Sequence, residues 1–207
     1  MHTKIISLIM ILSLSFTLCS CDLIGSKDKV YIYAEGSSMA PTINAKLLNG
    51  NINDNDRDIV VCDTSATEFK TGDIIVAKPA NRDTPIIKRV IAVGGQKLKI
   101  NFETWEIWVD GKLIDQSEYI KSGINYFDGI RMANGDLNYN EKNETELEVE
   151  KGKVFVMGDN RNNSLDSRFD SIGQIKTSEV FGKVTKIITD PSTSDKKRAE
   201  SDKSKIK

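Results

Sequence analysis

A serine hydroxyl is a poor nucleophile until a neighbour takes its proton. Three stretches of this 207-residue chain contain the residue types for that chemistry. Gly36-Ser37-Ser38-Met39-Ala40-Pro41-Thr42 presents a hydroxyl on a Gly-flanked, Pro-bounded turn. Ile86-Ile87-Lys88-Arg89-Val90-Ile91 sets a lysine in a β-branched run that ends at Gly94-Gly95. Gly158-Asp159-Asn160-Arg161-Asn162-Asn163-Ser164-Leu165-Asp166-Ser167-Arg168 gathers charged and amide side chains on a turn. The one histidine is His2, so neither a Ser-His-Asp triad nor a His-ligated zinc site can form in the folded part. A lysine can replace the histidine if it is neutral. That requires its pKa to fall by about two units or more from about 10.4, and burial among apolar side chains does this by disfavouring the charge. Alternation along the strand puts Ile86, Lys88 and Val90 on one face and Ile87, Arg89 and Ile91 on the other, so Lys88 and Arg89 cannot share a task. The Ser38 backbone N–H is the natural first donor to an oxyanion.

The elements that must position these groups read as short strands. "VYIYA" (30–34) leads into the serine turn. "RDIVVCDT" (57–64), "GDIIVAKP" (72–79) and "TPIIKRVIAV" (84–93) are β-branched and bounded by turn residues. "KLKINF" and "WEIWVDGKLID" follow, with Asp110-Gly111 as a hairpin turn. "KVFVMGDN" (153–160) and "SEVFGKVTKIIT" (178–189) close the series. The fold class is therefore mainly β: antiparallel sheets forming a compact catalytic core with a smaller, irregular β insertion. Residues 30–99 and 150–189 form the core, 100–149 the inserted β/loop subdomain, and 22–29 a polar linker. The tail 190–207 is charged, nearly free of apolar residues, and reads as disordered. Cys62 reads as a small buried strand residue.

Residues 1–21 form a leader. Lys4 precedes a charge-free run from Ile5 to Cys21, short for a bilayer span of about 20 residues. The positive start keeps the N-terminus cytoplasmic and sends the rest to the outer face. Leu18-Cys19-Ser20-Cys21 resembles a bacterial lipobox, which makes Cys21 a lipidation point. The alternative is an uncleaved membrane anchor, and both tether the domain to the cytoplasmic membrane. Net charge is −1, with no basic excess to suggest a nucleic-acid partner.

Taken in order, the three stretches resemble the signature boxes of the type I signal peptidases, serine-lysine endopeptidases that remove leader peptides. "GSSMAPT" is similar to the nucleophile box, "IIKRVIAVGG" to the lysine box, "GDNRNNSLDSR" to the last box, and "TGDIIVAK" to an intervening strand. The resemblance covers roughly residues 30 to 188. It implies Ser38 as nucleophile and Lys88 as general base, with no metal or cofactor. It further implies that Ser164 hydrogen-bonds the Lys88 amine, that Asp166 pairs with Arg168 behind that serine, and that Arg89 pairs with Asp159. Some relatives carry a hydroxyl two residues before the nucleophile as a second oxyanion donor. Here that position is Gly36, so the second donor stays open.

Tyr33 and Ala34 before the serine, and Ile86 and Ile87 before the lysine, are the strand residues expected to pair with an extended leader. The implied partners are secretory pre-proteins with small residues at −1 and −3, together with the lipid of the cytoplasmic membrane, and the implied state is a monomer. Three other readings stand beside this one: a relative dedicated to a narrow substrate set, a surface lipoprotein that uses the fold only to bind, and a self-cleaving repressor-type serine-lysine protease, against which the exported leader counts.

Overall fold

The computed structural model describes residues 28–44, 57–120, 136–137 and 140–206. The leader with Cys21, and part of the 100–149 segment, lie outside the described residues.

Strands β1 (Lys29–Tyr33), β2 (Ile59–Asp63), β3 (Ile74–Ala77) and β4 (Ile86–Val93) come first along the chain. The chain then builds β5 (Lys97–Asn101), β6 (Ile107–Val109), β7 (Lys112–Leu113) and β8 (Glu144–Glu148). Last come β9 (Lys153–Met157), β10 (Ile175–Lys176) and β11 (Val180–Ile188). All pairings are antiparallel. One sheet has the order β1-β2-β11-β3-β4-β9-β10 and the other β7-β6-β5-β8.

The strands differ as their sequences require. "IVVC" in β2 and "KRVIA" in β4 are buried throughout, as suits strands covered on both faces. "KLKIN" in β5 alternates buried Leu98 and Ile100 with exposed Lys97 and half-buried Lys99 and Asn101, as suits a sheet with one wetter face. Asp110 and Gly111, at φ of 51° and 75°, make the tight turn between β6 and β7. The chain leaves the larger sheet after Val93 and returns at Lys153, so the smaller sheet begins with β5, slightly before residue 100.

A shared core joins the sheets. Ile91, Ala92, Phe155 and Met157 of the larger sheet pack with Leu98, Ile100, Phe102, Trp105, Ile107 and Val109 of the smaller one. The edge between Phe102 and Trp105 is T-shaped, with ring centroids 5.8 Å apart. On the other side, Met39 and Ile43 from the serine turn pack against Val30, Ile32, Val60, Cys62 and Val76. Met39 is thus a core residue that anchors the turn. Cys62 is buried in the same cluster, and burial pushes its thiol up to about 12.

The tail departs from the sequence expectation. Thr193–Asp202 form a helix, α1, followed by a 3-10 turn over Lys203–Ile206. Ser192 and Asp195 make a reciprocal capping box at its start. Ala199 and Asp202 are buried against β1, and Ile206 packs on the Val30–Ile32 cluster. Composition gave no hint of this, because a cap, one small residue and one carboxylate hold the helix in place of an apolar stripe.

Candidate active site

β1 runs directly into the serine turn, and β4 carries Lys88 into the same space. Lys88 Nζ donates to Ser38 Oγ at 2.8 Å and to the Ile87 carbonyl at 2.9 Å. Lys88 is 4% exposed, and its cross-strand neighbour on β3 is Ile75. Burial is the largest influence on it, helped by the charges of Arg82 and Arg168 and opposed by Asp166 and Asp159, and its pKa falls to about 8. Neither carboxylate touches the amine, because each is committed elsewhere.

Arg89, one residue on, projects to the opposite face, as strand alternation requires. Its Nε and Nη2 bind Asp159 Oδ1 and Oδ2 at 2.8 and 2.7 Å, its Nη1 donates to the Gly72 carbonyl, and the Tyr119 ring lies 3.9 Å from its guanidinium. Asp166 and Arg168 form a second two-pronged pair, at 2.8 Å for both contacts, with neither side chain exposed. Gly158 N–H also donates to Asp166. Burial alone would raise the Asp166 carboxyl, but the Arg168 charge and these hydrogen bonds outweigh it and hold it below the usual carboxylate range. Asp159, Arg161 and Arg168 are all buried, so the 158–168 turn is not a solvated loop.

Ser164 departs from the sequence expectation. It is buried beside Gly158, but its hydroxyl does not reach the Lys88 amine in hydrogen-bonding geometry. Lys88 Nζ instead uses the Ile87 carbonyl and Ser38. Gly158 is required here for space: a Cβ on it would collide with both the Ser164 hydroxyl and the Ser38 carbonyl oxygen.

The nucleophile turn is clamped from two sides. Asn160 N–H donates to the Ser38 carbonyl at 3.0 Å, and Asn160 Nδ2 to the Ser37 carbonyl at 3.1 Å. Asn163 Nδ2 donates to Ser37 Oγ at 2.9 Å, and Thr42 Oγ1 to Asp159 Oδ2 at 2.5 Å. From the other side, Asn44 Nδ2 holds the Ala34 and Gly36 carbonyls, while Asn44 and Asp58 exchange hydrogen bonds. The only signal for this in the sequence is the density of Asn in "DNRNNS". The Ser38 N–H donates to no acceptor among the described residues. Gly36 lies at φ +72° with open space where a side chain would be, and has no hydroxyl to offer an oxyanion.

The free backbone edges converge on the same place. Among the described residues β1 pairs only with β2, so its outer edge has no strand neighbour. β4 pairs with β9 only from Arg89 onward, so among the described residues Ile86 and Ile87 have no strand neighbour on that side. Tyr33 is half-buried and Ala34 buried at the end of the first edge. Ile86 is buried and Ile87 half-buried at the start of the second.

The family model described as "Signal peptidase, peptidase S26" matches residues 4–189. Signal peptidase I U of Bacillus subtilis is 32% identical over 179 residues, covering 86% of this chain and 82% of that protein. Signal peptidase I of Bacillus licheniformis is 29% identical over 151 residues, covering 72% of this chain and 70% of that one. A solved signal peptidase I from Enterococcus faecalis aligns with a TM-score of 0.42 at 25% identity, over 57% of this chain and 97% of that one.

Proposed function

The chain belongs to the signal peptidase family, peptidase S26, a serine hydrolase that removes signal peptides from preproteins, and we propose that Ser38 and Lys88 carry out its chemistry. The observation that carries this reading is the 2.8 Å contact between a buried, carboxylate-free amine and a serine oxygen on a clamped turn. The neutral Lys88 amine accepts the Ser38 proton as Oγ adds to the scissile carbonyl. The Ser38 N–H stabilises the oxyanion. Collapse breaks the C–N bond, and the Lys88 ammonium returns its proton to the leaving amine. Lys88, neutral again, then takes a proton from water as that water attacks the acyl-Ser38 ester; as the tetrahedral species collapses the Lys88 ammonium returns that proton to Ser38 Oγ, and the leader departs as a carboxylic acid that ionises in solvent.

Arg89–Asp159 and Asp166–Arg168 are structural pairs in this reading. They hold the turn that grips Ser38 and keep Asp159 and Asp166 from satisfying the Lys88 charge. Ser164 acts by filling the space beside Gly158. The leader binds as an extended strand between the Tyr33–Ala34 and Ile86–Ile87 edges. The apolar side chains at these edges leave only shallow pockets, which supports a preference for small residues at −1 and −3. The N-terminal apolar run tethers the domain to the cytoplasmic membrane with the site on the outer face, either as an anchor or through a lipid on Cys21. Mass spectrometry of the mature N-terminus separates those two modes.

The test of the dyad is cleavage of a preprotein with an A-x-A site by wild type, Ser38→Ala and Lys88→Ala. Each variant is expected to lose at least about a thousandfold in kcat/KM while still melting cooperatively as a folded protein. Activity within tenfold of wild type in either variant refutes the assignment.

A further inference from the structure

The outer edge of β1 is open at one end and closed at the other. The bonds Thr64 N–H to Asp28 C=O and Ala34 N–H to Asp58 C=O show that even-numbered residues face β2. The odd-numbered residues Tyr31 and Tyr33, and Glu35 beyond the strand, therefore turn their main-chain groups outward. Tyr31 N–H is already taken: it donates to Asp202 Oδ2 at 2.9 Å. Arg198 Nη1 donates to the Tyr31 hydroxyl at 2.8 Å, and the Tyr33 hydroxyl donates to the Lys196 carbonyl at 3.3 Å. Asp202 is buried and also bound by Lys205 at 2.6 Å. Every one of these helix residues lies beyond residue 189, where the family match ends.

We propose that α1 and its 3-10 turn form a specificity-determining stop on the leader-binding edge, closing it at Tyr31 and leaving only Tyr33 and Glu35 to pair with substrate. The inference rests on the proposed seating of the leader beside β1. At about 3.3 Å per residue, a leader running toward Ser38 meets Tyr33 about four to five residues before the cut, and would meet Tyr31 about six to seven before it. Asp202 occupies the donor that a carbonyl of the leader would need at the second place. The paired segment is therefore short, and residues further from the cut must leave the sheet edge.

The test uses the full chain and peptide substrates of one sequence, lengthened stepwise on the N-terminal side of the cut from −3 to −9. For wild type, kcat/KM should rise to about −5 and then stay level. In the double variant Asp202→Ala/Ile206→Asp, which removes the cap and the apolar foot of the segment, hydrogen exchange at the Tyr31 amide should speed up by tenfold or more. In the same variant kcat/KM should go on rising to about −7, with the shortest substrate cleaved as in wild type. Fast Tyr31 exchange with an unchanged length profile overturns the proposal. So does Tyr31 protection that persists in the double variant, because Asp202 is then not what closes the edge. Equal loss on every substrate length also overturns it, since α1 would then support the fold as a whole. Failure of wild type to cleave even the short peptides would instead refute the proposed function.

Discussion

Lys88 and Arg89 are adjacent on one strand and almost equally buried, at 4% and 9% exposure, yet the two faces of β4 treat them differently. On one face the amine meets a serine oxygen, a carbonyl and an isoleucine, and burial pulls its pKa down to about 8. On the other, burial acts in the same direction, but the two-pronged bond to Asp159 outweighs it and the guanidinium is held above its ordinary value. Burial alone does not decide whether a cation survives. The presence of a carboxylate in contact does. Asp166 also acts on the amine electrostatically, but its oxygens are bound by Arg168 and the Gly158 N–H.

The strongest way to break this comparison is to put the wrong cation on the apolar face. Lys88→Arg retains a charge that cannot be shed at any working pH. Its kcat/KM should fall by about a thousandfold or more and not recover at pH 10; recovery at high pH would mean that an uncharged base is not needed. On the polar face, Asp159→Ala strands the Arg89 charge and also removes the acceptor of Thr42. Urea denaturation should show a loss on the order of 3 kcal/mol, and a loss below about 1 kcal/mol would reduce the pair to decoration.

Lys88→Met sharpens the contrast through stability. Native Lys88 is neutral above about pH 8, whereas the unfolded lysine stays charged to about 10.5. Between these values the unfolded chain binds more protons, so wild-type stability should rise with pH, by on the order of 3 kcal/mol across the window. Below it the buried charge is a cost. Lys88→Met should lack that rise and be the more stable protein at pH 7, and parallel stability curves for the two would count against a depressed amine. The smallest effect is expected from Asn163→Ala, whose bond to Ser37 Oγ is exposed: at most a few-fold in kcat/KM. A hundredfold loss would show that the clamp on Ser37 matters far more than its exposure suggests.

Much of the site could be read from the chain because its logic is local. Period-two alternation separates Lys88 from Arg89, and the absence of any histidine beyond His2 leaves lysine as the base. The strand series and the hairpin at Asp110-Gly111 were legible for the same reason. The clamp was not, because Asn160, Asn163 and Thr42 act on partners more than a hundred residues away. Ser164 shows the limit of a motif: it is buried beside Gly158 as its place in the motif suggests, but which group its hydroxyl meets is a matter of tertiary packing that no spacing encodes. Helix α1 escaped because a charged segment with no apolar face is ordered here by a capping box and one carboxylate on a strand edge.

The central claim is that the Lys88 amine is uncharged when it meets Ser38. Heteronuclear NMR of the full chain, with lysine labelled at the ε-carbon and Lys88 assigned by comparison with Lys88→Met, follows that amine directly through a pH titration. A single ionisation with its midpoint near pH 8 is the predicted result. A midpoint at or above about 10, in the ordinary lysine range, would contradict the account.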